Sequence, residues 1–366
     1  MSTETFIVTS NPEFSQAALA ELRHIDKRLT PIEHLAPGIT LCDASDFSLL
    51  AYQAARTHPT FVRHLAPVQA VVHITNEEQD IGRIAITAAA LPTFTQLERG
   101  IQFAVQSRFV STDGNQVERS YSSGQLNQLL AEAFTAETNA VESVKKPRII
   151  VSLLCTAHTC YLGISSAEEN LSSWPGGARR FANTPEQISR AEFKLLEALE
   201  VFDLSLPPKG SALDLGAAPG GWTRLFLEAR MNVIAVDPAR LDARLAGNKH
   251  LEHYFGYAES YLEEAVRRHK HFDVIANDMR MDARDAARLL VLASHCLHND
   301  GVVISIFKLP HATREINPLA ILRDAIAILN TSYSIVQARQ LFHNRQEVTV
   351  VAAQCKKTRM SKEKQF

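Results

Sequence analysis

The sequence is short of cysteine, of long apolar runs and of basic charge. Five cysteines in 366 residues, Cys42, Cys155, Cys160, Cys296 and Cys355, are too few and too scattered for a disulfide framework and suit a reducing compartment. Cys155 and Cys160 share one stretch, but no second pair or His cluster gives them metal-ligand spacing. All five read as small core hydrophobes. No apolar run approaches the roughly 18 residues that a membrane-spanning helix needs. The start, MSTETFIVTSNPEF, lacks the basic region and apolar stretch of a secretory leader. A cytoplasmic protein without membrane contact is expected. With 46% hydrophobic and 21% charged residues, the chain is expected to be globular and to hold two or three domains.

The formal net charge is −2. Residues 1–184 carry 14 Lys+Arg against 18 Asp+Glu, and residues 185–366 carry 24 against 22. A nucleic-acid binder usually has a basic footprint, and here it can only be local. The candidate patches are Lys145, Lys146 and Arg148, then Arg179 and Arg180, then Arg267, Arg268 and Lys270. Each alone reads as solvated surface. There is no internal repeat and no low-complexity tract.

What is present falls into two styles of patterning. In the first part, TFIVTS reads as a strand and Pro12–Ile25 has helical apolar spacing. Asp46 is placed to cap a helix over 47–56, and VQAVVHI is strand-like. Residues 102–111 alternate as a strand, Ser122 or Ser123 can cap a helix through Phe134, and RIIVSLLC with CYLGIS reads as a hairpin. The turn-rich stretch around WPGGARR reads as a linker. Beyond it strands and helices alternate: SALDL, a helix from Gly221, NVIAVD, FDVIAND, a helix over 283–298, GVVISIFK and a helix over 318–329. SYSIVQARQLF and EVTVVAAQ close as a hairpin. That alternation predicts a doubly covered, mainly parallel sheet. Ligands bind such sheets beyond the carboxyl ends of the strands.

The strongest motif is the run from Asp214 to Thr223, DLGAAPGGWT. A strand enters a tight glycine turn that opens a helix. Gly216 permits the turn, and Gly220 and Gly221 let a ligand approach the backbone. The helix N-terminus offers free N–H groups to an anionic group. A dinucleotide loop wants G-x-G-x-x-G, but Ala218 stands at the second glycine. A phosphate-binding P-loop wants G-x-x-x-x-G-K, but Trp222 replaces the lysine. The loop therefore suits a zwitterionic, sulfonium-bearing ligand better than a polyphosphate. Asp237 ends the second strand and is placed to accept the ribose hydroxyls of an adenosine moiety. Tyr257 and Glu259 are alternative contacts for adenine.

DLGAAPGGWT together with VIAVD resembles the FtsJ-like ribose 2′-O-methyltransferases. Four further positions match that family's Lys-Asp-Lys-Glu set: Lys194 in SRAEFKL, Asp278 in NDM, Lys308 in FKLP and Glu347 in RQEVTV. The tail ARQLFHNRQEVTV is similar to that of a large bacterial ribosomal RNA cytidine methyltransferase in the family, whose front half carries a THUMP RNA-binding module. The resemblance implies a Rossmann-like α/β methyltransferase domain over 185–357. Before it stand a ferredoxin-like α+β unit over 1–75, a THUMP-like unit over 76–168 and a linker over 169–184; a polar tail follows over 358–366. It implies S-adenosylmethionine as cofactor, held by Asp214, Gly216, Ala218, Pro219, Gly220, Gly221, Trp222, Asp237 and Asp278. It implies RNA as partner, in particular 23S ribosomal RNA. The acid that such enzymes often place near adenine is replaced around Ala258.

The implied chemistry is transfer of an activated methyl to a weak nucleophile, which needs in-line alignment and removal of a proton. The resemblance makes Lys308 the base, Lys194 its tuner, Asp278 the group that positions Lys308, and Glu347 the holder of Lys194. An ordinary lysine is protonated at pH 7; burial and a nearby cation both lower its pKa. Two rival readings stand beside this one: an idle RNA-binding scaffold and a methyltransferase for a small molecule or protein. A nicotinamide oxidoreductase is disfavoured by the glycine spacing.

Overall fold

The computed structural model describes residues 3–111 and 117–356; the expected polar tail over 358–366 lies outside them. Two compact units divide between Arg179 and Arg180.

The first unit contains two sheets. Strands β1 (Glu4–Thr9), β2 (Thr30–Ala36), β3 (Ile39–Ala44) and β4 (His64–Pro67) form an antiparallel sheet in the order β2-β3-β1-β4. Helices α1 (Ser15–Ile25) and α2 (Phe47–Thr57) belong to the same part of the chain. The Asp46 carboxylate accepts from the Leu49 N–H at 2.8 Å and starts α2 as the sequence suggests. The β2–β3 hairpin had no sequence signal, because Leu35 is the only fully buried residue of β2.

The second sheet, in the order β5-β9-β8-β6-β7, holds β5 (Ala70–His73), β6 (Gln102–Phe109), β7 (Val141–Glu142), β8 (Ile149–Cys155) and β9 (Thr159–Ser166). Helices α3 (Gln79–Ala89) and α4 (Ser123–Thr138) pack with it around Phe103, Phe134 and Ile164. Ser122 and Gln125 form a reciprocal capping box at the start of α4. The β8–β9 hairpin is the expected one, with Cys155 opposite Cys160. Asp80 is fully buried and accepts from the backbone of Thr75 and Asn76 and from the Tyr121 hydroxyl. Burial opposes its charge, but these donors outweigh burial and hold its pKa below the usual range.

In the second unit, α5 (Ala191–Val201) precedes β10 (Ser211–Leu215), α6 (Gly221–Glu228), β11 (Asn232–Val236), β12 (Leu251–Tyr254), α7 (Ala258–Arg267) and β13 (Phe272–Asn277). Then come α8 (Ala283–Ala293), β14 (Leu297–Lys308), α9 (Pro318–Leu329), β15 (Tyr333–Arg339) and β16 (Glu347–Cys355). The strand order is β12-β11-β10-β13-β14-β16-β15. Five strands are parallel; β16 runs antiparallel to both β14 and β15. This is the mainly parallel sheet that the strand–helix alternation implies, in the Rossmann-like order that the family resemblance implies. The order reverses between β10 and β13, which makes their carboxyl ends the natural binding crevice. The core packs Leu195, Trp222 and Phe226 onto Ala212, Val274 and Ile304.

One boundary differs from expectation. The helix expected over 283–298 ends at Ala293, and after one 3-10 turn Leu297 already pairs with Phe272 as the first residue of β14. The run VLASHCL is apolar enough for either state, and burial of Cys296 and Leu297 against the sheet favours the strand. Among the described residues no helix is long and apolar enough to cross a membrane.

Candidate active site

The glycine loop leaves β10 with backbone angles that only glycine adopts easily. Gly216 has φ +73° and Gly220 φ +110°. The positive φ strains any larger residue at either position, and a Cβ there would also displace the side chain of Met279 at Gly216 or of Leu245 at Gly220. A Cβ on Gly221 would meet the Ser189 hydroxyl at the entry to α5. The Ala218–Pro219 bond is cis. Gly216 and Ala217 donate to the Val236 carbonyl, and Ala218 donates to Asp237 Oδ2 at 3.1 Å. The loop is thereby tied to the end of β11.

Asp214 is buried within β10 and accepts from the Thr223 hydroxyl at 2.6 Å. Burial pushes its pKa up to about 7. Asp237 takes one N–H on each oxygen, from Ala218 and from Ala239 at 2.7 Å. Each carboxylate oxygen retains further acceptor capacity. Trp222 is different: its indole is buried and donates to the Ala191 carbonyl at 2.7 Å, so it anchors α6 to α5. What Trp222 can present to a ligand is its backbone. Tyr257 and Glu259 are both exposed at the start of α7.

Beside this loop, four elements deliver four charges to one place. Asp278 follows the last residue of β13, Lys308 ends β14, and Glu347 begins β16 directly opposite Lys308 in register. Because β16 is antiparallel, its first residue lies at the same rim as the last residues of β13 and β14. Helix α5 brings Lys194. The result is a closed ring of alternating charge. Lys194 Nζ lies 3.2 Å from Asp278 and 2.8 Å from Glu347. Lys308 Nζ bonds Asp278 and lies 2.8 Å from Glu347. All four side chains are largely buried, with exposures between 16% and 21%.

The ring changes the electrostatic expectation for Lys194. Burial lowers its pKa, but Asp278 and Glu347 outweigh burial, and the net direction is upward. Glu347 is the mirror case: burial raises it, Lys308 and Lys194 overcome that, and it is held below the usual carboxylate range. Lys194 is therefore a firm cation here.

Several supporting residues had no sequence signal. Glu192, 1% exposed, accepts from the Ile188 N–H at 2.7 Å and pairs with Arg224, fixing the start of α5 against α6. Glu197, 2% exposed, accepts from the N–H groups of Phe342 and His343, both at 2.8 Å. It tethers the helix carrying Lys194 to the turn leading to Glu347. Asn277 donates to Ser305 and accepts from the Met279 N–H, which shapes the turn around Asp278. Nothing in an isolated acid or amide foretells such a bond. Arg280, His311 and Arg345 join the ring in lining a cleft of about 650 Å³.

Residues 187–308 match the model of the FtsJ-like methyltransferases. Over these residues the chain is similar to that family. The matched segment holds Lys194, the glycine loop, Asp237, Asp278 and Lys308; Glu347 lies outside it. Curated relatives share the name ribosomal RNA large subunit methyltransferase M. That of Azotobacter vinelandii is 30% identical over 230 residues, covering 60% of this chain and 62% of its own. That of Halorhodospira halophila is 33% identical over 196 residues, covering 53% and 54%, and that of Sodalis glossinidius 33% over 222 residues, covering 58% of each. The chain thus spans less than two thirds of the length of these relatives.

Proposed function

We propose that the chain methylates a ribose 2′-hydroxyl of RNA, in large-subunit ribosomal RNA, in the cytoplasm. The observation that carries this reading is the closed ring of Lys194, Asp278, Lys308 and Glu347 at the strand ends next to the glycine loop. The names of the curated relatives support the RNA class.

The loop residues fit S-adenosylmethionine. Gly216, Ala218, Pro219, Gly220 and Gly221 give close access to backbone, Asp237 keeps acceptor capacity for hydroxyls, and Asp214 through Thr223 holds the loop. No Lys or Arg stands between Asp214 and Thr223, so nothing there selects for phosphates. Bound there, the cofactor supplies an activated methyl group.

The residues of the ring handle the hydroxyl and its proton. Lys194, held as a cation by two carboxylates, orients the hydroxyl oxygen by donating to it. Lys308 takes up the hydroxyl's proton as attack proceeds, having first released one of its own ammonium protons to solvent. Asp278 and Glu347 hold both lysines in place, so that alignment does not have to be found anew in each turnover. Residues 1–75 and 76–168 are read as ferredoxin-like and THUMP-like units that engage RNA.

The test is to map 2′-O-methylation across cellular RNA with and without this protein, and to repeat it with purified ribosomal RNA. A single large-subunit position that loses its methyl group, and regains it in vitro, is the expected result. An unchanged map, with no transfer to RNA in vitro, refutes the reading.

A further inference from the structure

The two sheets of the first unit meet around a small cavity that the proposed chemistry does not use. Its wall draws on β1, β4, β6, β8 and β9 and on Pro175 and Gly176, and its volume is about 30 Å³. Part of the wall is apolar, where Ile7 of β1 clusters with Leu154 and Tyr161 of the other sheet. The rest is not. His64 on β4, Gln106 on β6 and Ser152 on β8 line the same cavity and are only 4%, 6% and 8% exposed. His64 Nε2, Gln106 Oε1 and Ser152 Oγ are shut off from solvent, and none has a hydrogen-bond partner among the described residues. Folded proteins seldom leave such atoms unmatched, because each has given up a hydrogen bond to water in the unfolded chain. Three of them on one cavity, drawn from both sheets, point to a shared ligand.

Gln106 limits what that ligand can be. Its Nε2 donates to the Ser173 carbonyl at 2.7 Å, so its oxygen is the end left for the cavity. An anion would meet that oxygen, and a cation would meet Arg108, which also lines the wall. His64 adds no charge: burial, with the Arg108 cation beside it, pushes its pKa down to about 3. A neutral imidazole offers one donor and one acceptor nitrogen, and the Ser152 hydroxyl can play either part. The ligand must therefore donate and accept while carrying no charge, in a space where one water needs roughly 10–15 Å³. We infer that the cavity is a binding site for ordered water, one or two molecules that link His64 on the first sheet to Gln106 and Ser152 on the second. The site is independent of the proposed methylation. Direct bonds already stitch the two sheets nearby: Asn170 Nδ2 donates to the Leu65 carbonyl at 2.6 Å, and Gln69 Nε2 to the Ile164 carbonyl at 3.0 Å. The water extends this polar seam to side chains that make no direct bond to one another.

The test has two arms, both on the full chain. The first is a crystal structure of the wild-type protein at a resolution that shows ordered solvent, with a second crystal soaked in bromide. Water density within hydrogen-bond distance of all three atoms is the expected result. A dry cavity, or bromide seen there by its anomalous signal, overturns the inference. The second arm is a double-mutant cycle in urea with His64→Phe and Ser152→Ala, one change on each sheet. Either change alone is expected to shift the unfolding equilibrium about tenfold. Because either releases the shared water, the double variant is expected to shift it little further. A shift of about a hundredfold, the product of the two, means that the side chains act separately, and it overturns the inference as well. If neither variant folds, the wild-type crystals alone decide.

Discussion

The sharpest test of the ring separates the charge of Lys308 from its ability to shed a proton. Lys308→Met removes both; Lys308→Arg removes only the second, because a guanidinium stays protonated at any working pH. In the structure Lys308 Nζ is shared between Asp278 and Glu347, and the lysine side chain is 21% exposed. Taking one cation from this largely buried set leaves two carboxylates on Lys194 alone, a change that costs about 2–4 kcal/mol of stability once partial exposure is allowed for. Lys308→Arg should lose no more than ~1 kcal/mol, since both carboxylates keep a partner. Turnover behaves differently. Loss of a positioned base lowers the rate by roughly 10²- to 10⁴-fold, or about 3–5 kcal/mol of barrier, in both variants. The assay is single-turnover transfer of a radiolabelled methyl group to RNA, beside calorimetry of S-adenosylmethionine and urea melts. Cofactor affinity should stay within about threefold of wild type, because the glycine loop is untouched. A Lys308→Arg protein that turns over at near the wild-type rate refutes the base assignment.

Two further outcomes follow from the loop. Asp214 has its folded pKa raised by burial to about 7, so its contribution is fully present below the unfolded value near 3.9 and is lost as pH rises towards 7. Wild type should lose ~1.4 kcal/mol of stability per pH unit from this group between about pH 4 and 7; Asp214→Asn should lack that slope in urea melts, and identical slopes would sink the argument. Gly220→Ala forces a side chain into φ +110° and onto Leu245, a strain of about 1–3 kcal/mol. Calorimetry should show S-adenosylmethionine binding weakened about tenfold, and an unchanged dissociation constant would contradict the cradle.

Much of the second unit was legible because its signals are local. A strand, a glycine turn and a helix start within ten residues define the loop, and Asp278, Lys308 and Glu347 stand at ends of apolar runs, whereas Lys194, inside a helix, was marked only by the family resemblance. The supports were not legible. Glu192 and Glu197 look like surface charges on a helix, and only the fold shows them buried against backbone N–H groups from distant segments. Trp222 reads from its place in the motif as a ligand contact, and the structure puts its indole in the core and leaves its backbone for that role. The β2–β3 hairpin escaped because an edge strand with one buried residue carries no alternation to read. Whether the lysines repel or are bridged also required geometry, since the raised pKa of Lys194 depends on two carboxylates supplied by other strands.

The position of β16 between β14 and β15 has a consequence for how the protein comes into being. A ribosome that has released the chain through Lys308 has already made the glycine loop, Asp237, Lys194 and Asp278. The last strands cannot join in the order in which they are synthesised, because β15 has no partner until β16 arrives. At that stage the two lysines share one carboxylate, and the tether on Glu197 has nothing to hold. Glu347 enters last and closes the ring in the same event that completes the sheet. On the proposed reading, the residues that would hold the methyl donor are therefore all made before the ring that would use it is complete, and its last member arrives with the final strand.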